Sequence, residues 1–161
     1  MEKEQLKKAP NFTLKNTLGE NVSLDGYKGN KNVLLLFFPL AFTSTCTKEL
    51  CSVRDNLKIY ESLNVEVIGI SVDSFFVLKE YKHAQNLNFQ LLSDFNKSTA
   101  LGYEVLYKDF FGMKGVAKRS TFLIDKEGLI RYSEVLDDAN DQPNFNALQD
   151  HIIELNLNNF T

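Results

Sequence analysis

The sequence predicts an α/β fold: a central mixed β-sheet with helices on both faces and an N-terminal β-hairpin. Three observations carry this. The run at 33–38 is continuously apolar, as a strand buried on both faces must be. It is followed by a stretch, to about Tyr60, in which Cys46, Leu50, Val53, Leu57 and Tyr60 recur at helical spacing while Lys48, Arg54, Asp55 and Lys58 fall elsewhere. A second apolar strand at 65–71 then completes a βαβ unit, whose two strands run parallel with a right-handed crossover.

The other elements follow in order. Residues 12–14 and 22–24, separated by a turn around Leu18-Gly19, read as the N-terminal hairpin. After the βαβ unit, Asp73 or Ser74 can cap a helix that carries Val77, Leu78, Tyr81 and Ala84 inward. A short strand at 89–92 and a short helix at 96–101 come next. The strands at 121–124 and 129–132 flank Asp125-Lys126-Glu127-Gly128, a hairpin turn with glycine where a positive φ costs least. Phe145, Leu148, Ile152 and Leu155 mark a closing helix. A βαβ unit followed by a hairpin and a last helix is a thioredoxin-like arrangement, and 161 residues are enough for one domain spanning 1–161 with a single good core.

Composition narrows the function classes. The chain is 43% hydrophobic and 24% charged, and its net charge of −3 comes from interspersed charges of both signs. Nothing in that balance points to nucleic acid or to an anionic membrane surface, and the longest apolar runs are far shorter than a membrane span. The stretch Met1-Glu2-Lys3-Glu4-Gln5-Leu6 lacks the apolar core of a secretory leader, so a cytoplasmic location is expected. In that reducing compartment, two cysteines five residues apart are catalytic or redox-active rather than a structural staple. Two cysteines and two distant histidines make a poor zinc site, so neither a metal nor a cofactor is expected.

Both cysteines lie in Phe38-Pro39-Leu40-Ala41-Phe42-Thr43-Ser44-Thr45-Cys46-Thr47-Lys48-Glu49-Leu50-Cys51, at a strand-to-helix junction. In the first turn of a helix, unpaired backbone N–H groups and the positive end of the dipole favour the thiolate, the reactive form of the residue. Each residue also has an ordinary reading. A cysteine on an apolar helix face packs as readily as it reacts. Pro39 and Thr43 suit any helix start, Glu49 is a common first-turn acid, and Arg119 alone would be a surface charge. Their joint occurrence carries the chemistry. His83, beside Lys79 and Lys82, is expected in solvent, and His151 in packing at the border of the last helix. Phe110-Phe111 with Gly112 and Gly115 reads either as a mobile loop flanking the site or as core packing.

The pattern Pro39-x-x-x-Thr43-x-x-Cys46 resembles the peroxidatic motif of the peroxiredoxins. Glu49 and the Arg119 of Lys118-Arg119-Ser120-Thr121-Phe122-Leu123-Ile124-Asp125 fit the same pattern, and the likeness extends from Ala9-Pro10-Asn11-Phe12 to the C-terminal helix. The string Phe37-Phe38-Pro39-Leu40-Ala41-Phe42-Thr43 is most similar to the alkyl hydroperoxide reductase E branch. The second cysteine, five residues on, is typical of the peroxiredoxin Q (bacterioferritin comigratory protein) branch.

The resemblance implies an oxidoreductase: a thiol-dependent peroxidase that reduces hydrogen peroxide and organic hydroperoxides through a sulfenic acid on Cys46. Arg119 would hold the thiolate and the charge growing on the leaving oxygen. The Thr43 hydroxyl would accept from the peroxide and donate to the sulfur, the first-turn N–H groups would complete the cradle, and Glu49 would orient Arg119. Pro39 would stiffen the loop and shield the sulfur. The partners implied are a peroxide, a thiol reductant such as a thioredoxin- or glutaredoxin-like protein, and at most a second copy in a homodimer, with neither nucleic acid nor membrane. Cys51 is either the resolving cysteine or a packing thiol beside which an external thiol does the work. Residues five apart on a helix have Cα atoms roughly 8.6 Å apart, beyond the roughly 7 Å that a disulfide tolerates. Internal resolution therefore requires α-helix to unwind, which Ser44, Thr45 and Thr47 make less costly. A redox-signalling or holdase role on the same fold is the alternative from another class. A thioredoxin-type disulfide reductase would want Cys-x-x-Cys, which is absent.

Overall fold

The computed structural model describes residues 6–158. The first residues of the stretch that bears on a secretory leader lie outside them. Seven strands form one mixed sheet in the order β2-β1-β5-β4-β3-β6-β7. They are β1 (Thr13–Asn16), β2 (Asn21–Ser23), β3 (Asn32–Phe37), β4 (Val65–Ser71), β5 (Gln90–Ser93), β6 (Ser120–Ile124) and β7 (Ile130–Val135). The helices are α1 (Ser44–Asp55), α2 (Leu57–Ser62), α3 (Phe75–Ala84), α4 (Ser98–Gly102) and α5 (Phe145–Asn158). Strands β3, β4 and β5 are parallel neighbours, and the hairpins β1–β2 and β6–β7 join antiparallel at either side.

Strand β3 is the spine, and all six of its residues are buried. Its side chains alternate as the two-residue period of a strand requires. Leu34 and Leu36, with Phe38 just beyond, enter a core layer shared with α1, α2, α3 and α5, while Val33, Leu35 and Phe37 enter a second layer with Phe12, Leu24, Ala100 and Tyr103. This two-sided burial is why the run is apolar without interruption. The predicted turns hold too: Gly19 and Gly128 sit at φ 78° and 85°, where a side chain would be strained.

Two local expectations are corrected. The amphipathic stretch to Tyr60 is two helices, broken at Asn56, which sits at φ −113° and ψ 14°. The Asn56 amide donates to the Ser52 carbonyl at 2.8 Å, a side-chain bond that competes with the backbone ladder, while Leu57 and Tyr60 stay buried after the break. Helix α3 buries Leu78 and Tyr81, but Val77 and Ala84 are exposed. The helix rests on β5 and presents a narrower apolar stripe than its sequence spacing suggests. Its cap is Ser74, whose hydroxyl accepts from the Val77 N–H at 3.2 Å. His83 is exposed as expected. His151 is also exposed, with its ring against Tyr132 at 4.4 Å.

Candidate active site

The fold gathers three chain segments at the end of β3. The Phe38 N–H still joins the ladder, donating to the Ile70 carbonyl at 3.0 Å. The next residue, Pro39, has no N–H to continue it and is buried. The chain then crosses toward α1, held at both flanks. The Ala41 N–H donates to Asp73 Oδ2 at 2.8 Å, and the Thr43 hydroxyl donates to the Leu40 carbonyl at 2.8 Å. Phe42 takes φ 66° in this crossing and packs on the Tyr81 ring at 4.9 Å. The first intrahelical bond runs from the Thr47 N–H to the Thr43 carbonyl, so the N–H groups of Ser44, Thr45 and Cys46 precede the ladder. Cys46, only 1% exposed, therefore stands at the positive end of α1.

Sheet register brings the distant arginine to it. Phe37 pairs with Ser120 across β3 and β6, so the residue before Ser120 lies beside the exit of β3. Arg119 is 1% exposed, and each of its terminal nitrogens is engaged. Nη1 donates to Glu49 Oε1 at 2.6 Å; Nη2 donates to Cys46 Sγ at 3.2 Å and to the Ala139 carbonyl at 3.0 Å. Glu49 is fully buried. Among the described residues, neither its Oε2 nor Arg119 Nε has a hydrogen-bond partner.

The electrostatics of the pair follow from burial. At Glu49 desolvation outweighs the pull of Arg119, and the carboxyl pKa is pushed up to about 7. At Arg119 burial works against the charge, but Glu49 and Cys46 more than offset it and hold the guanidinium above its ordinary value. The native state therefore binds the Glu49 proton more tightly than the unfolded chain does. Its contribution to stability is full below the ordinary value of 4.5 and is lost as pH rises to about 7. Accordingly, the stability of the wild type relative to Glu49→Gln should fall as pH is raised through that window in urea titrations. A stability difference that is flat across it would show that Glu49 does not titrate there.

Above the sulfur lies an open cleft of about 660 Å3. Pro39, Thr43, Cys46 and Arg119 line it together with Tyr107, Phe110, Phe111, Met113 and the segment from Asp137 to Asn140, and the Tyr107 hydroxyl donates to the Asp137 carbonyl at 3.1 Å. The aromatic pair read from the sequence is thus at the site rather than in the core, with Phe111 87% exposed. One expectation is corrected here. The Thr43 hydroxyl donates to a backbone carbonyl and not to the sulfur; the tight turn before α1 aims it back at Leu40. Thr43 lines the cleft, and its oxygen keeps lone pairs that can accept a hydrogen bond.

Cys51 is not part of this cleft. It is half-buried on α1, and its thiol donates to Gln85 Oε1 on the α3 side at 3.7 Å. Both cysteines are free thiols, and α1 is unbroken between them. Several contributors carry no sequence signal. The Ala139 carbonyl that shares Arg119 is a backbone group, and the Gln142 amide donates to the Thr45 carbonyl at 3.1 Å from a loop nearly a hundred residues away. Tyr81 was readable as inward-facing, but its hydroxyl bond to Thr47 Oγ1 at 2.9 Å was not.

A buried thiol, guanidinium and carboxyl group in this order suit attack by sulfur on a polarised bond. Residues 6–133 match the AhpC/TSA family. The chain is 41% identical over 127 residues to alkyl hydroperoxide reductase E of Mycobacterium tuberculosis, covering 79% of this chain and 82% of that protein. It is 45% identical over 126 residues to the peroxiredoxin bcp of Coxiella burnetii, covering 76% and 82%. Among solved structures, the reduced 2-Cys peroxiredoxin of Plasmodium vivax superposes with a TM-score of 0.84 at 29% identity, over 96% of this chain and 98% of that one. The chain belongs to the AhpC/TSA family and is a peroxiredoxin, a thiol peroxidase that stands between the alkyl hydroperoxide reductase E and bcp branches. The thioredoxin-like fold read from the sequence is that of these neighbours.

Proposed function

We propose that this peroxiredoxin reduces hydrogen peroxide and organic hydroperoxides with Cys46 as the nucleophile. The observation that carries the reading is the Arg119 Nη2 donor 3.2 Å from Cys46 Sγ, with Nη1 of the same guanidinium on Glu49. The Cys46 thiolate attacks the outer oxygen of the hydroperoxide in line, and the O–O bond breaks. The electron pair leaves on the alkoxide or hydroxide, which takes a proton from solvent, and the sulfur becomes a sulfenic acid. Arg119 holds the sulfur and then the leaving oxygen, a preorganised donor that is itself buried. Thr43 accepts from the hydroperoxide O–H while its own proton stays on Leu40. Pro39 walls off the sulfur, and Glu49 keeps the guanidinium fork in register. Among the described residues no histidine lines the cleft, and the Arg119 donor together with the start of α1 favours the anionic form of the attacking sulfur.

For the second half of the cycle, Cys51 attacks the sulfenic sulfur, hydroxide leaves as water, and a Cys46–Cys51 disulfide forms. The two Cα atoms, roughly 8.6 Å apart on an intact helix, must close to within about 7 Å, so α1 unwinds from its N-terminal turns. The disulfide is then returned to two thiols by a dithiol reductant, a thioredoxin- or glutaredoxin-like protein of the reducing cytoplasm. The Cys51 bond to Gln85 supports a second reading, in which Cys51 stays packed and an external thiol reduces the sulfenate.

Peptide-mass mapping after one equivalent of hydrogen peroxide, with free thiols alkylated and sulfenate trapped, tests both halves. A Cys46–Cys51 disulfide is expected, and Cys51→Ser should lose it while keeping the first peroxide turnover within about twofold of wild type, since the first step uses only Cys46. A trapped Cys46 sulfenate with Cys51 still free would replace internal resolution by the one-cysteine cycle. If neither thiol reacted within seconds, the peroxidase reading would fall.

A further inference from the structure

We propose, resting on the reading in which Cys51 resolves Cys46, that Tyr81 is a positioning residue for that second step. Its hydroxyl bond to Thr47 latches the first turns of α1 and sets the rate at which the helix opens. Thr47 lies between the two cysteines in sequence. When α1 unwinds from its N-terminal turns to draw the two Cα atoms within disulfide range, Thr47 leaves its place against α3. The Tyr81 hydroxyl meets Thr47 Oγ1 at 2.9 Å, and that bond parts as the turns open.

Several segments meet on this one side chain. Tyr81 is fully buried on α3, its ring 6.2 Å from that of Phe38 at the end of β3 and 4.9 Å from that of Phe42 in the crossing. Its hydroxyl end reaches the first turns of α1. Burial pushes the phenol pKa up to about 12, so the hydroxyl keeps its proton near neutral pH and the latch does not titrate there. Tyr81 is not among the residues that line the cleft over Cys46, so its hydroxyl acts on the reaction through α1.

The hold along α1 is uneven. Thr47, Cys51 and Arg54, spaced i, i+4 and i+7, share the face that meets α3 and the turn after it. The Cys51 thiol reaches Gln85 Oε1 at 3.7 Å, a weak bond. Arg54 Nη1 donates to the Gln85 carbonyl at 2.6 Å, with the charge strengthening the bond, and the Asn88 amide donates to the Arg54 carbonyl at 3.2 Å. The last turn of α1 is thus pinned beyond α3, while the first turns are held to α3 by the Tyr81 hydroxyl. Opening from the N-terminal end stops short of Arg54 and leaves Cys51 at the boundary, where the released Cys46 comes to it. Gln142 also holds these turns, through the Thr45 carbonyl at 3.1 Å, but from the loop before α5, which gives more readily than a packed helix.

The test follows the full chain by quenched flow after one equivalent of hydrogen peroxide, with alkylation and mass mapping of both cysteines. In Tyr81→Phe the Cys46–Cys51 disulfide should form about fivefold faster than in wild type, because one hydroxyl bond no longer opposes opening. Thr47→Val should act in the same direction, and the double variant should be no faster than the faster single one, since the same bond is lost once. Thr47→Ser keeps the hydroxyl and should stay within about twofold of wild type. Hydrogen exchange of residues 44–51 in the reduced protein should quicken by the same factor in Tyr81→Phe. Tyr60→Phe is the control for general loosening. It removes another buried tyrosine hydroxyl, on α2 and bonded to Gln149, and should leave both rates unchanged. A disulfide phase that is unchanged or slower in Tyr81→Phe, additive single variants, or an equal gain in Tyr60→Phe overturns the inference and leaves the resolving role of Cys51 intact. Absence of the disulfide from wild type overturns both, while a Cys46 sulfenate in that sample keeps the peroxidase reading.

Discussion

Cys46→Ser is expected to lose hydroperoxide reduction by at least about a thousandfold, to the rate of the uncatalysed background. The chemistry turns on a polarisable sulfur nucleophile, and a serine hydroxyl supplies none. The substitution changes little else. Cys46 is buried on α1 beside the Arg119 guanidinium, and the smaller serine oxygen can still accept from Nη2. The variant should therefore fold with wild-type stability, which circular dichroism and urea titration check alongside the peroxide assay. The remaining thiol cannot substitute. Cys51 lies outside the cleft, half-buried against α3 and bonded to Gln85. Activity above about a tenth of wild type in Cys46→Ser would make Cys51 the nucleophile and reverse the assignment of the two cysteines.

The second large effect is at Arg119, where rate and stability can be separated. Arg119→Lys keeps a positive charge, but a single ammonium cannot bridge Glu49, Cys46 and the Ala139 carbonyl from one planar fork, and the rate of Cys46 oxidation should fall by about a hundredfold to a thousandfold. Arg119→Met removes the charge as well and leaves Glu49 buried without a partner, a loss of about 3–5 kcal/mol when one member of a buried pair is deleted. Glu49 can take up a proton instead, given a pKa already pushed to about 7, which lessens that loss as pH falls. The double variant Glu49→Gln/Arg119→Met should recover much of the stability in urea titration and none of the rate. Recovery of rate in the double variant would mean that Arg119 acts on the fold and not on the reacting oxygen.

The site was readable where its residues are neighbours in sequence. Pro39, Thr43, Cys46 and Glu49 lie on one loop and the first turns of one helix, so spacing alone puts Cys46 and Glu49 on one face. The break at Asn56 was not readable, because the apolar spacing runs on through it and a local side-chain bond decides the matter. Nor was the direction of the Thr43 hydroxyl, which depends on the crossing held by Asp73 and by the left-handed Phe42.

By itself the sequence determined the βαβ spine, the hairpins, the thioredoxin-like class and the cysteine at a helix start. These follow from periodicity, turn residues and short-range sterics, which act over a few residues. Only the tertiary structure decided what surrounds the sulfur. Arg119 reaches Cys46 across 73 positions because β6 pairs antiparallel with β3 and sets Ser120 opposite Phe37. Ala139 and Gln142 reach the same spot because the loop after β7 folds back over that sheet end. Such approaches are fixed by sheet register and loop path, properties of the packed chain that no local run of residues encodes.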